Sequence, residues 1–162
     1  MTFPATLLNQ AEALLAAYRR AGLTVATAES CTGGLVAGCL TEIAGSSDVF
    51  ECGLVSYSNA AKTELLGVPA ELIDAHGAVS AEVAEAMARG ALAGSKADAT
   101  VALTGVAGPG GGTVERPVGL VHLCAVRRGG AARPRREIFA GDRAAVRLSS
   151  VAVALEMLDE LI

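Results

Sequence analysis

Leu23-Thr24-Val25-Ala26-Thr27-Ala28-Glu29-Ser30-Cys31-Thr32-Gly33-Gly34 is the stretch that decides the fold. Leu23 to Ala28 alternate with the two-residue period of a strand. Glu29 to Gly34 form a turn closed by two glycines, and the segment after it predicts a helix through about Ile43. A strand, a glycine-bearing turn and a helix in that order aim the free N–H groups of the helix start at an anion. The unit also implies a sheet layered with helices.

The rest of the chain repeats the alternation. Residues 5–20 predict an amphipathic helix, with Leu8, Ala11, Leu15 and Tyr18 at helical spacing and Gly22 just past its end. Phe50 to Ser56 predict a strand. Asn59 caps a short helix that carries Lys62 and ends at Gly67, and Pro69 opens another to His76. Ser80 caps a helix from Ala81 to about Ala93, with Glu82 and Glu85 in its first turns. Ala99 to Leu103 predict a buried strand. Val118 to Val126 and Glu137 to Ala140 predict a hairpin around Gly129-Gly130, and Asp142 caps a last helix from Arg143 to Leu161. Alternating strands and helices give an α/β layered fold, and the hairpin makes its sheet mixed.

Composition narrows the function classes. A chain of 162 residues, 52% apolar, suits one domain spanning residues 1–162 with a sizeable core, and is not a disordered chain. Aromatic residues are 3% of the total, so the core is built from Ala, Val, Leu and Ile. A net charge of −4 gives no overall attraction to nucleic acid or to acidic membranes. No apolar run approaches a membrane span, and charged residues interrupt the N-terminal stretch where a signal peptide would lie, so a cytoplasmic address is expected. Cys31, Cys39, Cys52 and Cys124 form no C-x-x-C pair, and with His76 and His122 alone they offer no zinc spacing.

Five segments carry candidate chemistry. Ser30-Cys31-Thr32 places two hydroxyls and a thiol at a helix start, where they serve as a cap, an anion site or a nucleophile of lowered pKa. Gly45-Ser46-Ser47-Asp48 and Tyr57-Ser58-Asn59-Ala60-Ala61-Lys62 bring a serine, a tyrosine and one of only two lysines into a short segment. A lysine acts as a base only when burial or a neighbouring cation depresses its pKa, and a tyrosine or serine beside it can relay the proton. Thr104 to Thr113 is a glycine-rich loop directly after a buried strand, where α/β proteins place ligands. It is neither a Walker loop nor a dinucleotide fingerprint. Arg143 and Arg147 share one face of the last helix and suit a phosphate. The arginines at 127–128 and 133–136 read as solvent-exposed flanks of the hairpin turn.

Six ordered segments together resemble a known family: Ala28-Glu29-Ser30-Cys31-Thr32-Gly33-Gly34, Ile43-Ala44-Gly45-Ser46-Ser47, Tyr57-Ser58-Asn59 with Lys62, His76-Gly77-Ala78-Val79-Ser80, Thr104-Gly105-Val106-Ala107-Gly108-Pro109-Gly110-Gly111, and Pro117-Val118-Gly119. The series is similar to the CinA C-terminal domain family, the nicotinamide-nucleotide amidohydrolases, across residues 5–160. Larger members carry a further N-terminal domain resembling molybdopterin-binding proteins, and this sequence resembles the stand-alone form. The resemblance implies a three-layer α/β/α fold, a tendency to homo-oligomers, and no metal or organic cofactor. It implies hydrolysis of the carboxamide of nicotinamide mononucleotide to nicotinate mononucleotide and ammonia, in the recycling of pyridine nucleotides.

Mapped onto this chain, the resemblance makes Ser47 the nucleophile, Lys62 its base and Tyr57 the assisting group. Backbone N–H groups around Ser46-Ser47 or Ser30-Cys31 would stabilise the oxyanion. Ser30, Cys31, Thr32, Gly33, Thr104, Gly105, Gly108, Gly110, Gly111, Arg143 and Arg147 would hold the nucleotide. Two other readings stay open. One is a nucleotide-binding or regulatory module without catalysis, and the other is a cysteine hydrolase using Cys31.

Overall fold

A computed structural model describes residues 3–162 of the chain. The elements run α1 (Ala5–Ala21), β1 (Val25–Glu29), α2 (Leu35–Thr41), β2 (Phe50–Val55), α3 (Asn59–Leu66), α4 (Ala70–His76), α5 (Ala81–Ala93), β3 (Ala99–Gly105), β4 (Leu120–Arg127), β5 (Ala132–Ile138) and α6 (Arg143–Asp159). The five strands form one sheet in the order β2-β1-β3-β4-β5. β1 is parallel to both β2 and β3, whereas β4 is antiparallel to β3 and to β5. The sheet is therefore mixed, and helices cover both faces.

Each face has its own apolar layer. Leu7, Ala11, Leu14, Leu15 and Tyr18 of α1 are buried on one side with Val36 and Leu40 of α2 and Val151, Leu155 and Leu158 of α6. Tyr18 donates from its phenol to Leu158 O at 2.8 Å, so the largest side chain of this layer has its one polar atom satisfied. On the other side Val83, Ala84, Met87, Ala88 and Ala91 of α5 pack with Leu66 of α3, Ile73 of α4 and Ala102 and Cys124 of the sheet. Small residues let backbones come close there. The hydrogen of Gly90 faces Leu66 O so closely that a Cβ would lie 1.8 Å from that oxygen.

Caps explain most boundaries. Gly22 ends α1 at φ +66°, and Ser80 and Asp142 accept from the N–H groups of Val83 and Ala145 to start α5 and α6. Three expectations need correction. Ser58, not Asn59, caps α3 by accepting from Ala61 N at 3.0 Å. α2 ends at Thr41 rather than Ile43. The last strand runs from Ala132 to Ile138, so Arg133 to Arg136 lie within it and are not turn flanks. β5 is an edge strand, where Pro134 is tolerated, and Arg135 reaches Glu156 of α6 and Glu160 just past its end at 2.9 and 2.6 Å. Among the described residues no helix is long and apolar enough to cross a membrane.

Candidate active site

Ser30 is the first residue beyond β1, and its N–H donates to Leu103 O at 3.0 Å. The chain must then reverse into α2 within a few residues, and Gly33 and Gly34 make that possible at φ +59° and +93°. The Glu29 carboxylate holds the reversal from inside. It is 1% exposed and accepts from the N–H groups of Gly34, Val36 and Ala37 at 3.1, 3.0 and 2.9 Å. Those are the donors expected to face an anion. The chain supplies the anion itself, so the start of α2 has no seat for a ligand.

Lys62 comes to Ser30 from the neighbouring parallel strand. β2 ends beside β1, Ser56 N donates to Glu29 O at 2.9 Å, and α3 then returns Lys62 over the strand ends. Lys62 is 1% exposed, and its Nζ lies 3.0 Å from Ser30 Oγ and 2.9 Å from Ser56 O. Among the described residues no carboxylate pairs with it. Burial holds its pKa below the ordinary lysine value, opposed in part by the nearby Cys31 thiol. A neutral lysine keeps an N–H for the Ser56 carbonyl and turns its lone pair to the Ser30 hydroxyl. A serine hydroxyl and an amine of depressed pKa in this arrangement have the chemistry of a nucleophile and its base.

The Ser30–Lys62 pair opens into a cavity of about 300 Å³. Cys31, Tyr57, Thr104 and Arg143 line it, with Gly105, Gly108, Gly110 and Gly111 of the loop after β3. Asn59, Ala78 and Val79 line it as well and had no signal in the sequence beyond their place in the motifs. Arg143 bridges the mouth, donating to Gly108 O at 2.8 Å and to the Tyr57 hydroxyl at 3.0 Å. Tyr57 is 61% exposed, and the hydroxyl bonds to Arg143, not to Lys62, so it stands at the rim and is not the relay expected for it. Thr104 donates its hydroxyl to Ala78 O at 2.7 Å and keeps only acceptor capacity for a ligand.

Several expected site residues lie elsewhere. Ser47 is exposed in the single 3-10 turn Ser46–Asp48, where Asp48 pairs with Arg19 at 2.5 and 2.9 Å. That turn precedes β2, and Val25 N at the start of β1 donates to Val49 O. Ser30 lies beyond the other end of β1, about 16 Å away for five residues at a strand's ~3.3 Å rise. Ser47 therefore does not meet Lys62, and the N–H groups around Ser46-Ser47 do not reach the cavity. Thr32, Gly33 and Arg147 are also outside it. Arg147 donates to Cys31 O at 3.2 Å and Thr32 O at 2.8 Å, so its guanidinium braces the back of the Ser30 turn instead of facing a phosphate. The Cys31 thiol is pushed up to about 11 by burial, and hydrogen bonds from its own N–H and that of Thr32 pull it down only in part. A thiol held protonated is a poor nucleophile.

Known proteins share the sequence pattern and the fold of this chain. The model of the CinA C-terminal domain matches residues 8–162. The nicotinamide-nucleotide amidohydrolase PncC of Escherichia coli is 49% identical over 152 residues, covering 94% of this chain and 92% of that protein. A CinA-like protein of Mycolicibacterium vanbaalenii is 56% identical over 138 residues, which are 85% of this chain but 33% of that protein. The chain thus spans about a third of the length of the CinA-like relatives it matches. The crystal structure of the competence/damage inducible protein CihA from Agrobacterium tumefaciens superposes with a TM-score of 0.97 at 48% identity, covering 99% of this chain and 98% of that one. With its order of motifs, its mixed sheet and these relatives, the chain belongs to the CinA C-terminal domain family.

Proposed function

We propose that this chain is a nicotinamide-nucleotide amidohydrolase that uses Ser30 as nucleophile and Lys62 as base. The observation that carries the reading is the buried lysine, with no carboxylate partner among the described residues, 3.0 Å from a serine hydroxyl at the cavity wall. The similarity to PncC of Escherichia coli supports the substrate. Neutral Lys62 takes the Ser30 proton as Oγ attacks the carboxamide carbon of nicotinamide mononucleotide. The lysine, now protonated, returns that proton to the departing nitrogen, which leaves as ammonia. Water then attacks the ester on Ser30 and gives a proton to Lys62, which passes it to the leaving Ser30 Oγ as nicotinate mononucleotide is released.

The oxyanion needs donors that are already in place. The N–H of Cys31, next to the nucleophile at the cavity wall, is the nearest candidate. Arg143 and the N–H groups of Gly108, Gly110 and Gly111 suit the phosphate, with Thr104 and Gly105 closer to Ser30. Tyr57 orients Arg143 at the mouth. The reaction would feed the recycling of pyridine nucleotides.

Ammonia release from nicotinamide mononucleotide tests the reading, with wild type, Ser30→Ala and Ser47→Ala compared. Wild type and Ser47→Ala should release ammonia, and Ser30→Ala should lose on the order of 10⁴-fold or more in kcat. Activity that survives Ser30→Ala and dies with Ser47→Ala would reject the nucleophile. A wild type that binds the nucleotide and never hydrolyses it would make the domain a binding module.

A further inference from the structure

The turn between α4 and α5 has an unusual set of partners. Four successive carbonyls, those of His76, Gly77, Ala78 and Val79, each accept from a side chain. Arg116 donates to His76 O at 2.7 Å and, through Nε, to Val79 O at 3.2 Å. Ser80 donates to Gly77 O at 2.9 Å and Thr104 to Ala78 O at 2.7 Å. Ala78 and Val79 are cavity wall, so this turn is one side of the candidate active site.

Arg116 reaches this turn from another segment of the chain. It sits on the return arm of the loop that joins β3 to β4, and the loop's glycines lean on that arm. A Cβ at Gly108 would lie 2.5 Å from the Val118 side chain, and one at Gly112 would lie 2.9 Å from it. The tip is closed by Thr113 N donating to Arg116 O at 2.8 Å and Arg116 N donating to the Thr113 hydroxyl at 3.0 Å. The base is closed by Gly119 N donating to Val106 O at 2.8 Å. The glycine arm, which lines the cavity, thus rests on an arm whose tie to the turn between α4 and α5 is the Arg116 guanidinium.

Gly77 is shaped for that guanidinium. Its φ and ψ of 77° and 155° fall in a region essentially confined to glycine. A Cβ there would lie 2.6 Å from an Arg116 nitrogen. The planar fork of an arginine spans two carbonyls, which a lysine cannot reproduce.

We infer that Arg116, seated on Gly77, is a latch that holds the glycine-rich loop in its substrate-binding position. It touches neither Ser30 nor Lys62, so it is a positioning residue that governs how well the nucleotide is held. This role rests on the proposed amidohydrolase reading for its substrate, and the loop itself can be followed without substrate. The experiment compares wild type, Arg116→Ala and Gly77→Ala by steady-state kinetics on nicotinamide mononucleotide and by amide hydrogen exchange at Thr113 and Gly119. Both variants should speed exchange at those two amides and leave β1 and α6 at wild-type rates. KM should rise about tenfold while kcat stays within about threefold. The double variant should be no worse than the poorer single one, because both break the same contact. Unchanged exchange at Thr113 and Gly119, or a fall in kcat with KM untouched, overturns the latch. If wild type releases no ammonia at all, the proposed activity fails, and the exchange measurement still decides whether Arg116 holds the loop.

Discussion

Gly90→Ala is the substitution for which local and tertiary physics disagree most sharply. Gly90 lies inside α5, and on helix propensity alone alanine there should stabilise the chain by about 0.8–1 kcal/mol. The new Cβ would lie 1.8 Å from Leu66 O, whereas real Cβ atoms come no closer than 3.0 Å, so a gap of 1.2 Å must open. α5 is not free to supply it. Six of its buried side chains belong to the apolar layer on that side of the sheet, and Thr100 donates to Ala88 O at 2.9 Å. The eight-residue α3 gives way instead, and overpacking of this kind costs about 1–3 kcal/mol. The net expectation is a loss of stability on the order of 1–2 kcal/mol, taking the upper part of that range against the propensity gain. Leu66 is one helical turn beyond Lys62 on α3, so the shift disturbs the 3.0 Å placement of the proposed base beside Ser30. A misplacement of about 1 Å at a reacting pair can cost about 10²-fold in rate. Urea unfolding and kcat for ammonia release measure the two effects separately. A variant more stable than wild type by about 1 kcal/mol, with full activity, would refute the argument.

Lys62→Met should abolish turnover and leave a folded protein whose stability has a different pH dependence. In wild type the buried lysine releases its proton at lower pH than the unfolded chain does. Between the lowered native pKa and the unfolded value near ~10.4, the unfolded state binds more protons, so stability rises with pH; Lys62→Met should remove that rise in chemical denaturation measured across the range. The same titration should give wild-type kcat/KM an acidic limb, activity climbing as Lys62 becomes neutral. Glu29→Gln should cost about 1.5–3 kcal/mol by urea unfolding, because an amide keeps one acceptor oxygen where the carboxylate has two that accept from three N–H groups. Little or no loss would mean that the turn is held by Gly33, Gly34 and Arg147 alone.

Local encoding is what made parts of this fold legible in the sequence. Gly22, Ser80 and Asp142 mark helix ends with their own backbone or side-chain geometry, and the strand-helix alternation follows from apolar spacing. β5 was legible only in part because Arg133-Pro134-Arg135-Arg136 reads as a loop, and its pairing with β4 and its ion pairs to α6 are long-range facts. The cavity was legible as a set of residue types: a serine, the buried lysine, the glycine-rich loop and Arg143. Their pairing was not. Ser47 is nearer to Lys62 in the chain, but β2 lies between them and carries the chain from one end of the sheet to the other. Ser30 is 32 positions away, yet it sits just past the C-terminal end of a strand parallel to β2, and parallel neighbours deliver their succeeding segments to the same edge of the sheet.

The same rule relocates the anion. The strand–turn–helix signal of residues 23–43 correctly marks free N–H groups at the start of a helix, and says nothing about the group that fills them. Glu29 fills them, from the last position of β1, with three N–H donors satisfied at 2.9–3.1 Å. A dianionic phosphate brought to that end of α2 would meet a buried carboxylate instead of a positive helix start, and would be repelled. Arg147, the cation expected to help there, is committed to two carbonyls of the turn. The remaining cation that lines the cavity besides Lys62 is Arg143, at the mouth and beside the loop glycines. For the proposed nucleotide this places the phosphate outward at Arg143 and leaves the carboxamide end for the buried Ser30–Lys62 pair, where burial lowers the lysine pKa and so favours its uncharged form.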